Sequence, residues 1–366
     1  MKSARSVRIF TGISIATLAI SAISALAFGT VSASITKIDA FAGIDKRPDK
    51  KSSAINYLLV GSDTREGLTK AELKELRVGS VATAAGKRSD TMLLVHISKA
   101  RDKAVLVSIP RDTFALIPEH LNNAGKTIPA VHSKINSAFN WGGAPLLIQT
   151  IEEMTQLKID HYVEVNFAGF ARVIDSLGGI EVCTKKDIDD PKSHLVLPAG
   201  VHTLNGIEAL KYVRTREFDG LGDIGRMQRQ QAFMSSVLKK ATSAGVLLNP
   251  ITMTSFINSS LAAVTTDEGL KNSDLITLAK QMKSLATSNV RTLTVPLSDL
   301  NYYSNGVTAS VLWDPVLAPE LWDRLREDRA IVDEVTASPS PSSTKAAKVE
   351  IVDKFKTRTA GDNICR

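Results

Sequence analysis

From Ile9 to Ile35 the chain carries no charged residue, and Lys2, Arg5 and Arg8 stand in front of that run. An uncharged stretch of this length exceeds the roughly 20 residues that a bilayer-spanning helix needs and the roughly 7 to 15 of a signal-peptide core. Basic residues ahead of such a run keep the N-terminus in the cytoplasm and send the downstream chain across the membrane. Residues 1–8 therefore read as a cytoplasmic segment and 9–35 as a single-pass transmembrane signal anchor. Ala25-Leu26-Ala27 has the small-x-small form of a cleavage site, so a cleavable signal is the alternative. Either way the rest of the chain folds outside the membrane.

That placement governs the meaning of the charge. A net charge of +7 can indicate nucleic acid. No helix-turn-helix pattern, zinc spacing or RNP-like aromatic motif accompanies it, however, and an extracytoplasmic basic protein meets anionic lipid head groups and wall polymers instead. We expect a membrane partner and no nucleic acid. Cys183 and Cys365 lie too far apart in sequence for a CxxC redox or zinc motif. Outside the cytoplasm such a pair reads as a disulfide, with two unpaired thiols as the alternative. Closing a loop of about 180 residues would contribute up to about 4 to 5 kcal/mol in the chain-entropy picture.

With 43% hydrophobic residues the remainder can bury a real core. Residues 36–54, with Lys46-Arg47-Pro48, read as a polar stalk. "INYLLVG" from Ile55 is a buried strand, and a charged, irregular stretch follows it. "DTMLLVHIS" and "KAVLVSIPRD" are two strands of an antiparallel hairpin turning at "KARD". Lys134 to Leu157 reads as a helix broken at Gly142-Gly143. "IDHYVEV" is a strand, "FAGFARVIDSLGG" a helix closed by glycines, and "IEVC" a short strand. A long helix is expected from about Ile224 to Ala244. The globular domain spans 55–330, 336–348 is a Pro/Ser linker, and 349–366 a tail held back by Cys365. Interleaved strands and helices place the core in the α/β class.

The chemistry concentrates at one end of this sheet. If "INYLLVG" pairs antiparallel with "DTMLLVHIS", Asp63 comes beside Asp90, and the hairpin sets Arg111 at the same open end. Asp102, in the turn, falls at the far end. Two carboxylates there suit a hard cation, Mg²⁺ or Mn²⁺, shared with substrate phosphates. The segment "RTREFDGLGDIGRMQRQQ" adds Arg214 and Arg216, two apart as on one face of a strand, then Arg226, Arg229 and Gln230 on a helix. Arginines clamp phosphoryl groups bidentately and stabilise the charge that develops on transfer. Phe233 and Val237 continue the Arg226 and Gln230 face as apolar residues. A phosphate attached to a lipid suits that face, and core packing explains it equally well.

The ordered motifs "LLVGSDTR", "RSDTMLLVHIS", "SIPRD", "KINSAF", "IDHYVEVNFAGFARVIDSLGGIEV", "LPAGVHTLNGIEALKYVRTRE" and "GDIGRMQRQQ" resemble the LytR-CpsA-Psr family of cell-wall glycopolymer ligases. They cover roughly Ile55 to Lys240. "RTAGDNIC" and "IEVC" resemble actinobacterial members, which supports pairing Cys183 with Cys365.

The resemblance implies a central mixed β-sheet flanked by helices. It implies a phosphotransferase that moves a phosphoglycosyl polymer from a polyprenyl-pyrophosphate carrier to a peptidoglycan hydroxyl, the muramic acid 6-hydroxyl, and releases polyprenyl phosphate. Asp63 and Asp90 match the family's metal-side aspartates. Arg111, Lys134, Arg214, Arg216, Arg226 and Gln230 match its pyrophosphate-binding positions, Arg88 and Asp112 adjoin them, and Asp90, Arg111, Arg214 and Arg216 are the catalytic candidates. A non-catalytic polyprenyl-phosphate binder acting as an envelope regulator would keep the arginines without needing both aspartates. A pyrophosphatase acting on the lipid carrier would use the same residues as the transferase. Only a short tail stands where many actinobacterial relatives carry a second domain.

Overall fold

In a computed structural model the described residues are 35–78, 89–122, 124–216, 222–241, 256, 258–259, 261–271, 274, 289–336 and 349–359. The expected anchor, Arg88, most of the Pro/Ser linker and Cys365 lie outside them.

Eight strands build the central sheet: β1 (Thr36–Ile38), β2 (Ile55–Ser62), β3 (Ser89–Ile97), β4 (Ala104–Ile109), β5 (His161–Val165), β6 (Val264–Asp267), β7 (Val290–Thr294) and β8 (Arg358–Thr359). Their order across the sheet is β1-β6-β5-β2-β3-β4-β7-β8. The sheet is mixed: β2-β3-β4 is an antiparallel meander, β5 runs parallel to β2, and β7 runs parallel to β4. Antiparallel neighbours need a short turn, which "KARD" supplies with Arg101 at φ 61. Parallel neighbours need a crossover, and helices α2 (Asn136–Thr155) and α3 (Phe167–Ser176) occupy such connections.

The period-two alternation of the strands sorts the two faces. Leu58, Val60, Met92, Leu94, Val107 and Ile109 form one buried cluster with Phe139, Leu147 and Ile151 of α2 and with Leu321, Trp322 and Leu325 of helix α6 (Leu317–Arg326). α2 departs from helical geometry at Gly143 (φ 65, ψ −151), two residues before Pro145, so the expected glycine break is real. The opposite sheet face carries Leu59, Gly61, Leu93, Leu106 and Ser108. It lies under α3, α4 (Gly206–Arg214) and α5 (Gly222–Ala241).

These helices have legible ends. Asn166 caps α3 by accepting from the Gly169 amide at 2.7 Å, and Gly178 closes it at φ 74. Asn205 and Glu208 form a reciprocal capping box on α4. Gly206 is obligatory there, because a Cβ on it would lie 2.3 Å from the Ala171 carbonyl oxygen of α3. Gly206→Ala is therefore expected to cost about 1 to 3 kcal/mol of stability by forcing the two helices apart. A chemical denaturation midpoint equal to wild type would contradict that close packing.

Two boundaries differ from the sequence reading. Residues 36–54 are no stalk: β1 pairs parallel with β6, and Ala40 is fully buried. Arg47 forms a bidentate pair with the buried Glu152 of α2 at 3.0 and 2.6 Å and lies over the Phe41 ring. The charges and Pro48 mask a segment whose few larger apolar residues, Ile38, Phe41 and Ile44, pack against the core. The tail is likewise sewn into the domain. Asp333–Thr336 pairs antiparallel with Val349–Val352, Phe355 enters the main core, and Arg358–Thr359 extends the sheet. The domain thus does not end at 330. A third difference is α1 (Lys70–Leu76), which forms in the stretch read as irregular on the strength of a Thr69–Glu72 capping box.

Candidate functional site

β2 ends and β3 begins at the same edge, with Gly61 opposite Thr91 and Ser62 opposite Ser89. β3 therefore spends one extra residue, Asp90, in a bulge of the backbone beside Gly61 and Ser62. Asp63 comes directly after β2. Ile109 pairs with Met92, so β4 also ends here, and Pro110 and Arg111 continue from it. The convergence of Asp63, Asp90 and Arg111 on one sheet edge is present in the backbone, and Asp102 lies at the opposite end, accepting from the Ser98 hydroxyl at 2.9 Å.

Beside this edge, between the sheet and α3–α5, lies a cavity of about 190 Å³. Its sheet wall is made small by Gly61, Thr91, Ser108 and Thr292, and its helical wall is apolar, with Phe167, Phe170, Leu210, Val213, Phe233 and Met234. Arg111, Arg214, Arg226 and Gln230 line the same space. Arg226 is 3% exposed. The Arg214 guanidinium also lies 5.4 Å from the centre of the Phe167 ring. A cavity that combines guanidinium groups with an aromatic and aliphatic wall suits an amphiphilic anion.

The arginines reach this place by a different route from the one expected. Arg214 is not on a strand: it is the last residue of α4, where a cation suits the negative end of the helix. Thr215 turns the chain extended (φ −59, ψ 143), and its hydroxyl donates to the Tyr212 carbonyl. Arg216 then lies outside the cavity lining, its amide held by the Asp190 carboxylate. Asp190 also takes the Lys192 and Ser193 amides, both at 2.8 Å. The i+2 spacing misled because the capping box and apolar face of α4 extend the helix through the first arginine. Arg226 and Gln230 do share a helical face, as their spacing predicts, and Gln230 donates to the Val213 carbonyl at 3.1 Å.

Arg229 has another role. It is 8% exposed and donates to the Thr215 carbonyl at 2.6 Å, tying α5 to the turn between Arg214 and Arg216. Its charge partly offsets the effect of burial, which raises the Tyr212 phenol above its ordinary pKa. Arg229→Met is expected to lower stability by about 2 kcal/mol, the worth of a hydrogen bond to a charged group. Donor affinity should fall with it as Arg214 loses its fixed position. A variant that keeps wild-type denaturation and affinity would show that Arg229 holds nothing in place.

Lys134 ends the strand Val131–Lys134 rather than starting a helix. Its ammonium lies 3.2 Å from Asp112, whose other oxygen is 3.3 Å from Arg111 Nε. Asp112 thus links two predicted phosphate-binding residues. The apolar extension of α5 divides. Phe233 lines the cavity, with its ring 5.6 Å from Phe170, and also belongs to the buried cluster of Ile180 and Val182, whereas Val237 only packs against that cluster. Sequence reasoning missed Gln231, which reaches Ser108 (3.2 Å) and Thr294 (2.8 Å) across the cavity floor, because a lone glutamine carries no spacing signal. Cys183 sits in the strand Ile180–Thr184, opposite Val201, and no cysteine among the described residues is a free thiol.

The model of the LytR_cpsA_psr family matches residues 26–319. This chain belongs to the LytR-CpsA-Psr family. The Corynebacterium glutamicum protein named "Probable cell wall biosynthesis protein LcpB" is 36% identical over 275 residues, which make up 75% of this chain and 62% of LcpB. The Bacillus subtilis "Polyisoprenyl-teichoic acid--peptidoglycan teichoic acid transferase TagT" is 35% identical over 204 residues, 54% of this chain and 56% of TagT. The match therefore spans only about 60% of the length of these curated relatives. The structure described as "TagT bound to LIIa-WTA" superposes with a TM-score of 0.57 at 26% identity, covering 79% of this chain and 98% of that one. The mixed sheet with flanking helices is thus the family's fold.

Proposed function

We propose that this protein is a membrane-anchored phosphotransferase. It moves a phosphoglycosyl polymer from a polyprenyl-pyrophosphate carrier to a hydroxyl of peptidoglycan, the muramic acid 6-hydroxyl, outside the cell membrane. One observation carries the reading: Arg111, Arg214, Arg226 and Gln230 line a cavity whose remaining wall is largely apolar. A soluble sugar phosphate would use the cations but not the aromatic wall, and a neutral lipid would use the wall but not the cations. A lipid-linked pyrophosphate uses both. The names of LcpB and TagT agree with this reading.

In the transfer, the acceptor hydroxyl oxygen bonds to the sugar-linked phosphorus, and the bond from that phosphorus to the bridging oxygen breaks. Polyprenyl phosphate leaves with that oxygen, and the hydroxyl proton passes to a nearby base. Arg111, Arg214 and Arg226 stabilise the charge spreading over the phosphoryl oxygens, and Lys134, tied to Arg111 through Asp112, adds positive charge beside them. Asp63 and Asp90 fit a divalent cation. Both residues are hard oxygen donors, Asp63 directly after β2 and Asp90 at the start of β3. Mg²⁺ is commonly held this way, by one or two carboxylates plus substrate phosphates. When bound, Mg²⁺ or Mn²⁺ neutralises pyrophosphate charge. A disulfide between Cys183 and Cys365 completes the attachment of the tail.

Full-length protein in detergent, given a polyprenyl-pyrophosphate-linked glycan, should release polyprenyl phosphate with added Mg²⁺ and fail to do so in excess chelator. Tight donor binding without cleavage under Mg²⁺ or Mn²⁺, with peptidoglycan present, would leave a carrier-binding protein.

A further inference from the structure

Asp112 leads from the cavity's Arg111 onto a partly exposed surface outside the cavity lining. The strands Phe114–Ile117 and Val131–Lys134 pair so that Phe114 faces Lys134 and Leu116 faces His132. Cross-strand partners share a face, so these four side chains lie together, while Ala115 and Ile117 turn into the core. The hairpin of Leu297–Ser304 and Val307–Trp313 joins them through the Thr113–Val311 bridge and a 2.8 Å hydrogen bond from the Val311 amide to the Asp112 carbonyl. His132 stacks on Phe114 with ring centres 4.9 Å apart and planes 11° from parallel. Tyr302 meets Phe114 edge-on at 5.1 Å. Asn305 Nδ2 lies 3.3 Å from His132 Nδ1, and Leu116 and Tyr303 remain 47% and 58% exposed.

We propose that this surface receives the glycan strand of the acceptor. The proposal rests on the transfer reading above and names where its second substrate binds. Pyranose rings present an apolar C–H face bordered by hydroxyls. The surface answers with aromatic rings of Phe114, His132 and Tyr302 bordered by the hydrogen-bonding groups of His132, Asn305 and Lys134. A bilayer would call for a continuous apolar patch, which these polar groups interrupt. The surface is also continuous with the donor site. His132 and Lys134 share one strand face about 7 Å apart, and Lys134 reaches Arg111 through Asp112. A sugar lying on His132 and Phe114 thereby places its neighbour's hydroxyl at Lys134, on the approach to the cavity.

The test is direct binding of soluble peptidoglycan glycan fragments to the full-length protein by calorimetry, in wild type and in Tyr302→Ala, His132→Ala and Tyr302→Phe. Wild type should bind. Each alanine variant should weaken binding about tenfold, the order of one aromatic contact. Tyr302→Phe, which keeps the ring, should stay within about twofold of wild type, and the alanine variants should still unfold in one cooperative transition, their midpoints lowered by no more than the lost ring contact. Equal fragment binding by wild type and both alanine variants, or no binding by wild type, overturns the proposal. Fragment binding does not involve the donor, so donor cleavage measured in parallel on wild type separates this failure from failure of the transfer reading.

Discussion

Arg214→Ala is expected to lower the rate of donor cleavage by about 10²- to 10³-fold, the effect of removing one preorganised charge partner of a phosphoryl or oxyanion group. Arg214 closes α4, whose capping box, close contact at Gly206 and last-turn position leave it little freedom, and it lines the apolar cavity beside Phe167. Arg214→Lys should recover only a small part of the loss, because an ammonium cannot reproduce the bidentate fork. The measurement is single-turnover release of polyprenyl phosphate. Activity within threefold of wild type in the alanine variant would remove Arg214 from the chemistry.

Arg47→Ala is expected to destabilise the domain by about 3 kcal/mol or more, because it strands a carboxylate buried in the protein. The Glu152 side chain is 2% exposed, and besides Arg47 its carboxylate accepts from the Ile159 amide at 2.7 Å. Arg47 also donates to the Ile159 carbonyl, so one side chain pins the segment before β2 to both α2 and the start of β5. Glu152→Gln should recover part of the stability of Arg47→Ala by removing the unpaired charge. A chain trimmed to begin at residue 55 would lose β1, Ala40 and this pair together and should not reach the wild-type denaturation midpoint. Equal midpoints for Arg47→Ala and wild type would restore the stalk reading.

The central strands β2 to β5 are legible because each is a short apolar run bounded by turn residues, and the antiparallel pairing of β3 with β4 is dictated by the brief "KARD" connection. That pairing brings Asp90 and Arg111 to one edge, and the assumed antiparallel pairing of β2 with β3 adds Asp63. The bulge at Asp90 could not be foreseen, since a register shift depends on how the two strands twist together. On α5, the four-residue spacing of Arg226 and Gln230 correctly gave one face. The two-residue spacing of Arg214 and Arg216 gave a false strand, because local capping outweighs a spacing of two. The periodicity runs Lys134 into a helix that begins two residues later, and its partnership with Asp112 arises from a strand pairing hidden in polar sequence. The segments at 36–54 and 349–359 were misread for a common reason. Each carries few apolar residues, yet the edges of the sheet need only a few inward side chains to hold them.

The most direct measurement tracks phosphorus. A polyprenyl-pyrophosphate donor labelled in its sugar-linked phosphate is incubated with the full-length protein, Mg²⁺ and peptidoglycan, and the label is located. Transfer predicts that the labelled phosphate arrives on peptidoglycan together with its glycan, as a phosphodiester at a sugar hydroxyl. It also predicts unlabelled polyprenyl phosphate as the second product, and loss of both products in Asp90→Ala and Arg214→Ala. Label released only as a soluble phosphoglycan, with none on peptidoglycan, would contradict the account and make the protein a hydrolase of the carrier.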